Sequence, residues 1–127
     1  TIYCTKAIIP SMIKSKNGRI INFSSFAVRI GLKGESAYIA SKGGVEAFSR
    51  SIAKELSPAN ITVNTISPSI IDTRLTSGLS ETIKKTIIER QIIESKCTVS
   101  DVFDCLKMIL SPESKKLSGG IFNIGGV

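Results

Sequence analysis

The sequence predicts an α/β protein, a parallel β-sheet with helices packed on its faces. Three observations carry this expectation. Short, largely apolar runs at 20–24 (IINFS), 61–67 (ITVNTIS) and 121–124 (IFNI) read as strands. The stretches between them are long, and most show apolar residues at helical spacing. Strands separated by connections of this length pair in parallel, whereas a two-residue turn would make them antiparallel.

The first element is a helix over 1–15. Ile2, Ala7, Ile8, Ile9, Met12 and Ile13 recur at helical rather than alternating spacing. Pro10 implies a kink or a short break, because it lacks an N–H for its turn. KNGR at 16–19 is a turn signal and leads into the first strand. SFAVRIGLKGES then reads as a loop punctuated by Gly31 and Gly34. The strongest helix runs from Ser36 to about Ser57, with Ala37, Ser41, Gly44, Val45, Phe48, Ile52 and Leu56 on one stripe. Pro58 ends it by biasing Ser57 away from helical torsions. The second strand stops at Pro68. Residues 69–79 read as a loop and Ser80–Glu94 as a helix. TVSD at 98–101 has the form of a capping box and opens a helix through Leu110. SPESKKLSGG is the loop before the last strand.

The 127 residues suffice for one small domain, and 42% apolar with 21% charged residues is a globular composition. No apolar run reaches the roughly 18 residues of a membrane span, and no signal peptide is visible. No membrane partner is therefore expected, and three cysteines, odd in number and far apart, make a reduced, cytoplasmic setting the expectation. The chain opens on TIYCTKAIIP without an initiator Met, as a helix entered part-way would, so a fragment is expected. Cys4, Cys97 and Cys105 are far apart, form no CxxC and have no His to help, which argues against a metal site. The absence of His also removes a Ser-His-Asp or Cys-His nucleophile from this chain. The formal charge of +7 is scattered among small groups such as Lys84–Lys85 and Lys115–Lys116 without aromatic interleaving. No nucleic-acid partner is expected, whereas an anionic cofactor or substrate would suit the positive field.

Tyr38 and Lys42 stand four residues apart on the strongest helix, so they share a face. A free phenol titrates near about 10 and is a poor acid or base at neutral pH. An ammonium beside a phenol favours the phenolate and moves it towards acid–base work. Taken alone, the pair also reads as a packed aromatic beside a solvated lysine. Gly43 and Gly44 each cost a helix interior about 1 kcal/mol relative to Ala, which points to a close approach by a neighbouring element. Ser25 stands just past the first strand and the Pro68 loop just past the second. In open α/β sheets that edge, at the carboxyl ends of the strands, is where ligands lie.

The segment GRIINFSSFAVRIGLKGESAYIASKGGVEAFSRSIAKELSPANITVNTISPSIIDT resembles the core of the short-chain dehydrogenase/reductase family. It is most similar to the 3-oxoacyl-acyl carrier protein reductase and sugar or alcohol dehydrogenase branches. A strand-end Ser, Y-x-x-x-K, V-N-x-x-x-P and a Thr after the Pro carry the resemblance, which extends to the final SGGIFNIGG. It implies a three-layer, Rossmann-like doubly wound sheet, with 1–127 as the carboxyl-terminal part of a single domain. The Gly-rich, dinucleotide-binding half and a helix Asn would lie upstream of Thr1. It further implies an NAD(P)-dependent oxidoreductase acting on a small carbonyl or secondary-alcohol substrate. Tyr38 would be the general acid or base, Ser25 would orient the substrate oxygen with Ser24 as its competitor, and Lys42 would hold the nicotinamide ribose. Pro68, Ile71 and Thr73 would meet the cofactor, and residues 74–95 would form a lid. The residue that selects NAD or NADP would lie upstream, so either cofactor is compatible. A homodimer or homotetramer is implied, with the Tyr38 helix packing on its partner.

Two further departures stand out. Ser69 replaces the usual Gly after Pro68, at a strain cost if φ there is positive. The terminal V-D-G-G reads IGGV, with Gly125 where Asp is frequent. Two alternatives remain. One is a truncated, non-catalytic chain serving as a binding or dimerisation module. The other is an extended-family epimerase or dehydratase, against which the short tail after Thr73 argues.

Overall fold

A computed structural model describes residues 1–126. Val127, the last letter of the IGGV departure, lies outside them. The elements are α1 (Ile2–Ser15), β1 (Gly18–Phe23), α2 (Ala27–Ile30), α3 (Ser36–Leu56), β2 (Ile61–Pro68), α4 (Glu81–Ile88), α5 (Val99–Leu110) and β3 (Ile121–Ile124). The strands form one parallel sheet in the order β1-β2-β3. This is the predicted α/β class, a partial Rossmann-like fold.

Strand alternation distributes the side chains of β1 to two faces. Ile20 joins Ile61 and Val63 of β2 and packs against Ile52, Ala53 and Leu56 of α3, with Ile9 and Met12 of α1 at the margin. Arg19 points the opposite way. Its guanidinium donates to the carbonyls of Ile109 and Ser111 and to Ser114 Oγ, each at 3.0 Å, at the carboxyl end of α5. Those carbonyls have no partner within the helix and carry the negative end of its dipole, so a cation suits them. Helices α1 and α3 thus cover one face and α5 the other.

The middle strand is sealed at both edges. Beyond its pairing with β3, Val63 N–H donates to Ser118 Oγ at 3.1 Å and Gly119 N–H to the Val63 carbonyl at 2.7 Å. Asn64, 1% exposed, donates to the Leu117 carbonyl at 2.8 Å and accepts from Gly120 N–H at 3.1 Å. The V-N pair read in the sequence therefore ties down the loop that aims β3.

Several boundaries differ from expectation. Helix α1 runs unbroken through Pro10, which is exposed, so water can meet the Lys6 carbonyl that the proline leaves without a donor. Residues 25–36, read as a loop, contain the single turn α2. Ser25 Oγ accepts from Ala27 N–H at 3.3 Å before it, and Gly31 at φ 65° closes it. Helix α4 stops at Ile88 rather than Glu94, because Ile92 and Ile93 N–H bond the Gly126 and Gly125 carbonyls instead. On α3 the buried residues are Glu46, Ser49, Ile52, Ala53 and Leu56, while Ala37, Ser41 and Gly44 of the predicted stripe are exposed. Nothing lies within 4 Å of a Cβ built on Gly44, and at Gly43 only Val28 Cγ1 does, at 3.8 Å. Among the described residues, no close approach explains these glycines.

Candidate active site

Parallel strands deliver their carboxyl ends to the same edge. Past β1 the chain stays bound to β2, with Ser24 N–H on the Ile66 carbonyl at 2.8 Å and Phe26 N–H on Pro68 O at 3.1 Å. This brings Ser25 beside the segment that follows β2, and α3 adds its first turns. Together they border a cavity of about 460 Å³ whose walls include Ser25, Tyr38, Lys42, Pro68, Ile71 and Thr73. All six residues nominated from the sequence, drawn from three separate segments, face that one space. Leu75, Leu79, Ile83 and Ile87 complete the wall with apolar surface. Phe26, Ile70 and Ile87, all of which line it, pack together as an apolar cluster.

Lys42 and Tyr38 are half-buried neighbours. The ammonium lies 5.8 Å from the centre of the phenol ring and donates to the Phe23 carbonyl at 3.0 Å. The two serines divide clearly. Ser24 Oγ donates its proton to Glu46 Oε1 at 2.6 Å. Ser25 Oγ accepts from Ala27 N–H at 3.3 Å, and no acceptor among the described residues takes its proton. A hydroxyl carries one proton, so Ser25 has it to offer and Ser24 does not.

The far wall is held by Thr76, which the sequence reading missed inside its 69–79 loop. Its Oγ1 donates to the Ile71 carbonyl at 2.6 Å and accepts from Thr73 N–H at 3.0 Å, fixing two of the residues expected to meet a cofactor. Asp72 between them pairs with Lys96 at 2.9 Å and Lys84 at 3.3 Å, and those hydrogen bonds hold its carboxyl below the usual range. Ile71 bridges to Cys97, whose thiol burial pushes up. Glu46 and Ser49 were also missed, although Glu46 continues the spacing of Tyr38 and Lys42 by one more turn.

The donor set fits the nicotinamide–ribose end of a dinucleotide. A phenol, an ammonium and Thr73 stand beside apolar wall, and Ser69 keeps a buried Oγ with no partner among the described residues. The strain feared at Ser69 does not arise, since Lys16 and Asn60 are the non-glycine residues with positive φ among those described. Gly125 does have φ 89°, and a Cβ there would lie 3.1 Å from Ser69 Cβ.

Comparison with known proteins gives concordant findings. A family described as Enoyl-(Acyl carrier protein) reductase matches residues 1–126. The chain is 32% identical to a 3-oxoacyl-acyl carrier protein reductase of Buchnera aphidicola subsp. Baizongia pistaciae, over 98% of the chain and 51% of the relative. It is 34% identical to Nodulation protein G of Rhizobium meliloti, over 96% of the chain and 50% of the relative. A 3-oxoacyl-acyl carrier protein reductase of Thermotoga maritima gives the same three figures, 34%, 96% and 50%. The chain thus spans about half the length of the curated relatives it matches.

Proposed function

The chain belongs to the short-chain dehydrogenase/reductase family, and from that premise we propose that it is the carboxyl-terminal part of an NAD(P)-dependent oxidoreductase. The Gly-rich dinucleotide-binding half belongs to the same single domain and precedes Thr1. The substrate is a small carbonyl compound or secondary alcohol, with a 3-oxoacyl thioester as the first to try. The intact enzyme works as a homodimer or homotetramer.

When bound, the nicotinamide supplies or accepts the hydride. Tyr38 gives its phenolic proton to the substrate oxygen in reduction and takes it back in oxidation. Ser25 donates a hydrogen bond to the same oxygen and orients it. Lys42 puts a positive charge beside the phenol and would hold the ribose hydroxyls. Pro68 ends β2, and just past it the Ile71 backbone would hold the carboxamide and Thr73 the carboxamide or the pyrophosphate. The apolar wall excludes water and accommodates the carbon chain of the substrate.

The observation that supports this reading is the convergence of Ser25, Tyr38 and Lys42 with Pro68, Ile71 and Thr73 on one cavity. The test uses the full-length protein with NADH or NADPH and a 3-oxoacyl thioester. Tyr38→Phe should lower kcat by roughly 10²–10⁴-fold while NAD(P)H binding, followed by its fluorescence, stays close to that of the unmodified protein. Retained turnover would remove Tyr38 from the mechanism.

A further inference from the structure

A line of side chains on α3 grips the end of β1 residue by residue. Ser49 Oγ accepts from Asn22 Nδ2 at 2.8 Å, Lys42 Nζ donates to the Phe23 carbonyl at 3.0 Å, and Glu46 Oε1 accepts from Ser24 Oγ at 2.6 Å. Three consecutive residues of the sheet edge are therefore bonded to three successive turns of the helix that carries Tyr38. The next residue is Ser25.

Glu46 is the least ordinary of the three. A carboxylate 6% exposed needs a partner, because burying an unpaired charge is costly. Its charge partner is Arg29 of α2, at 3.3 Å, whose guanidinium also reaches Ser67 Oγ of β2 at 3.4 Å. Glu46 thus sits where α3, α2 and the ends of both strands meet, directly behind the cavity wall.

We propose that Glu46 is a positioning residue for the active site. By accepting the only proton of Ser24 it removes the competing hydroxyl, and by holding the Ser24 side chain it fixes Ser25 relative to Tyr38. Glu46 touches neither substrate nor cofactor. The inference rests on the oxidoreductase reading for its kinetic consequence, but not for its geometry.

The test uses the full-length protein and two independent readouts. In kinetics, Glu46→Ala should lower kcat roughly 10- to 100-fold, the scale of an ångström-level misplacement, with the KM for the nicotinamide cofactor little changed. Glu46→Gln keeps an oxygen that can accept from Ser24, and Arg29 has a side chain 26% exposed that water can serve. It should therefore recover most of the rate. In a Ser24→Ala background, Glu46→Ala should cost little more, since the route through Ser24 is already gone. Equal damage from Gln and Ala, or additive damage in the double variant, would overturn the proposal. The second readout is a pair of crystal structures, unmodified and Glu46→Ala. A Ser24 hydroxyl swung free and a Ser25 displaced by about half an ångström or more, the tolerance of a productive site, is the expected result. A Ser25 that stays in place overturns the proposal whether or not the protein turns over substrate. Absence of turnover in the unmodified protein would count against the oxidoreductase reading alone.

Discussion

Replacing Asn64 with alanine removes two hydrogen bonds whose surroundings differ, and the cost follows from that difference. The Gly120 N–H that donates to Asn64 Oδ1 at 3.1 Å belongs to a half-buried residue beside the fully buried strand. Left without an acceptor, it loses about 1–3 kcal/mol. The Leu117 carbonyl that accepts from Asn64 Nδ2 belongs to an exposed residue, so water can replace the amide. Only the net value of one bond, about 1 kcal/mol, is lost there. Asn64→Ala should therefore destabilise the full-length protein by about 2–4 kcal/mol, read as a lower urea midpoint at unchanged slope. Asn64→Asp puts an oxygen where the donor stood, 2.8 Å from the Leu117 carbonyl. Its deficit should shrink on acidification, when the carboxyl regains a proton to donate. A loss below about 0.5 kcal/mol, the range of an ordinary surface change, would refute the reasoning. It would mean that Ser118 and Gly119 hold the loop without help.

Arg19→Met removes the cation from the carboxyl end of α5 while keeping much of the stem. It should lower stability by about 2 kcal/mol, and Arg19→Lys should recover little, since one ammonium cannot span three acceptors. Asp101, hydrogen-bonded to Thr98 through both Oγ1 and the backbone, titrates below its usual range. Its folded pKa is depressed, so its contribution is present above the ordinary aspartate range and lost as pH falls through the folded value. Asp101→Asn should therefore flatten part of the acid limb of a stability–pH curve, and an unaltered limb would contradict the cap. Lys42→Ala should raise the KM for the nicotinamide cofactor and lower kcat together, about tenfold or more each. A lysine needed only to tie down Phe23 would lower thermal stability and leave KM unchanged.

The sheet and its order of elements were legible because the signals are strong and local. Three β-branched runs, the proline stops at 58 and 68 and the TVSD box each act within a few residues. The candidate site was legible only as an ensemble. Y-x-x-x-K sets two side chains on one helical face, but the strand-end Ser, the Pro68 loop and the family resemblance they carry were needed to tell it from a packed aromatic beside a solvated lysine. What escaped depends on contacts distant in sequence. The four-residue α2 is too short for a periodic pattern, and the end of α4 is set by hydrogen bonds to Gly125 and Gly126. Helical spacing places Glu46 on the Tyr38 face, but not that Ser24 and Arg29 would meet it there. The misjudged stripe on α3 has the same origin, since periodicity identifies an apolar face but not where along a 21-residue helix the sheet ceases to cover it.

The closeness of Ser69 and Gly125 has a consequence for the history open to this chain. A side chain at 125 would press on Ser69 and Gln91, and the backbone there already sits where most L-residues are strained. The two positions cannot then vary as independent letters. An acidic residue at 125 would ask for a small shift at Ser69 and a turned Gln91, so a change at one of these positions is felt at the others.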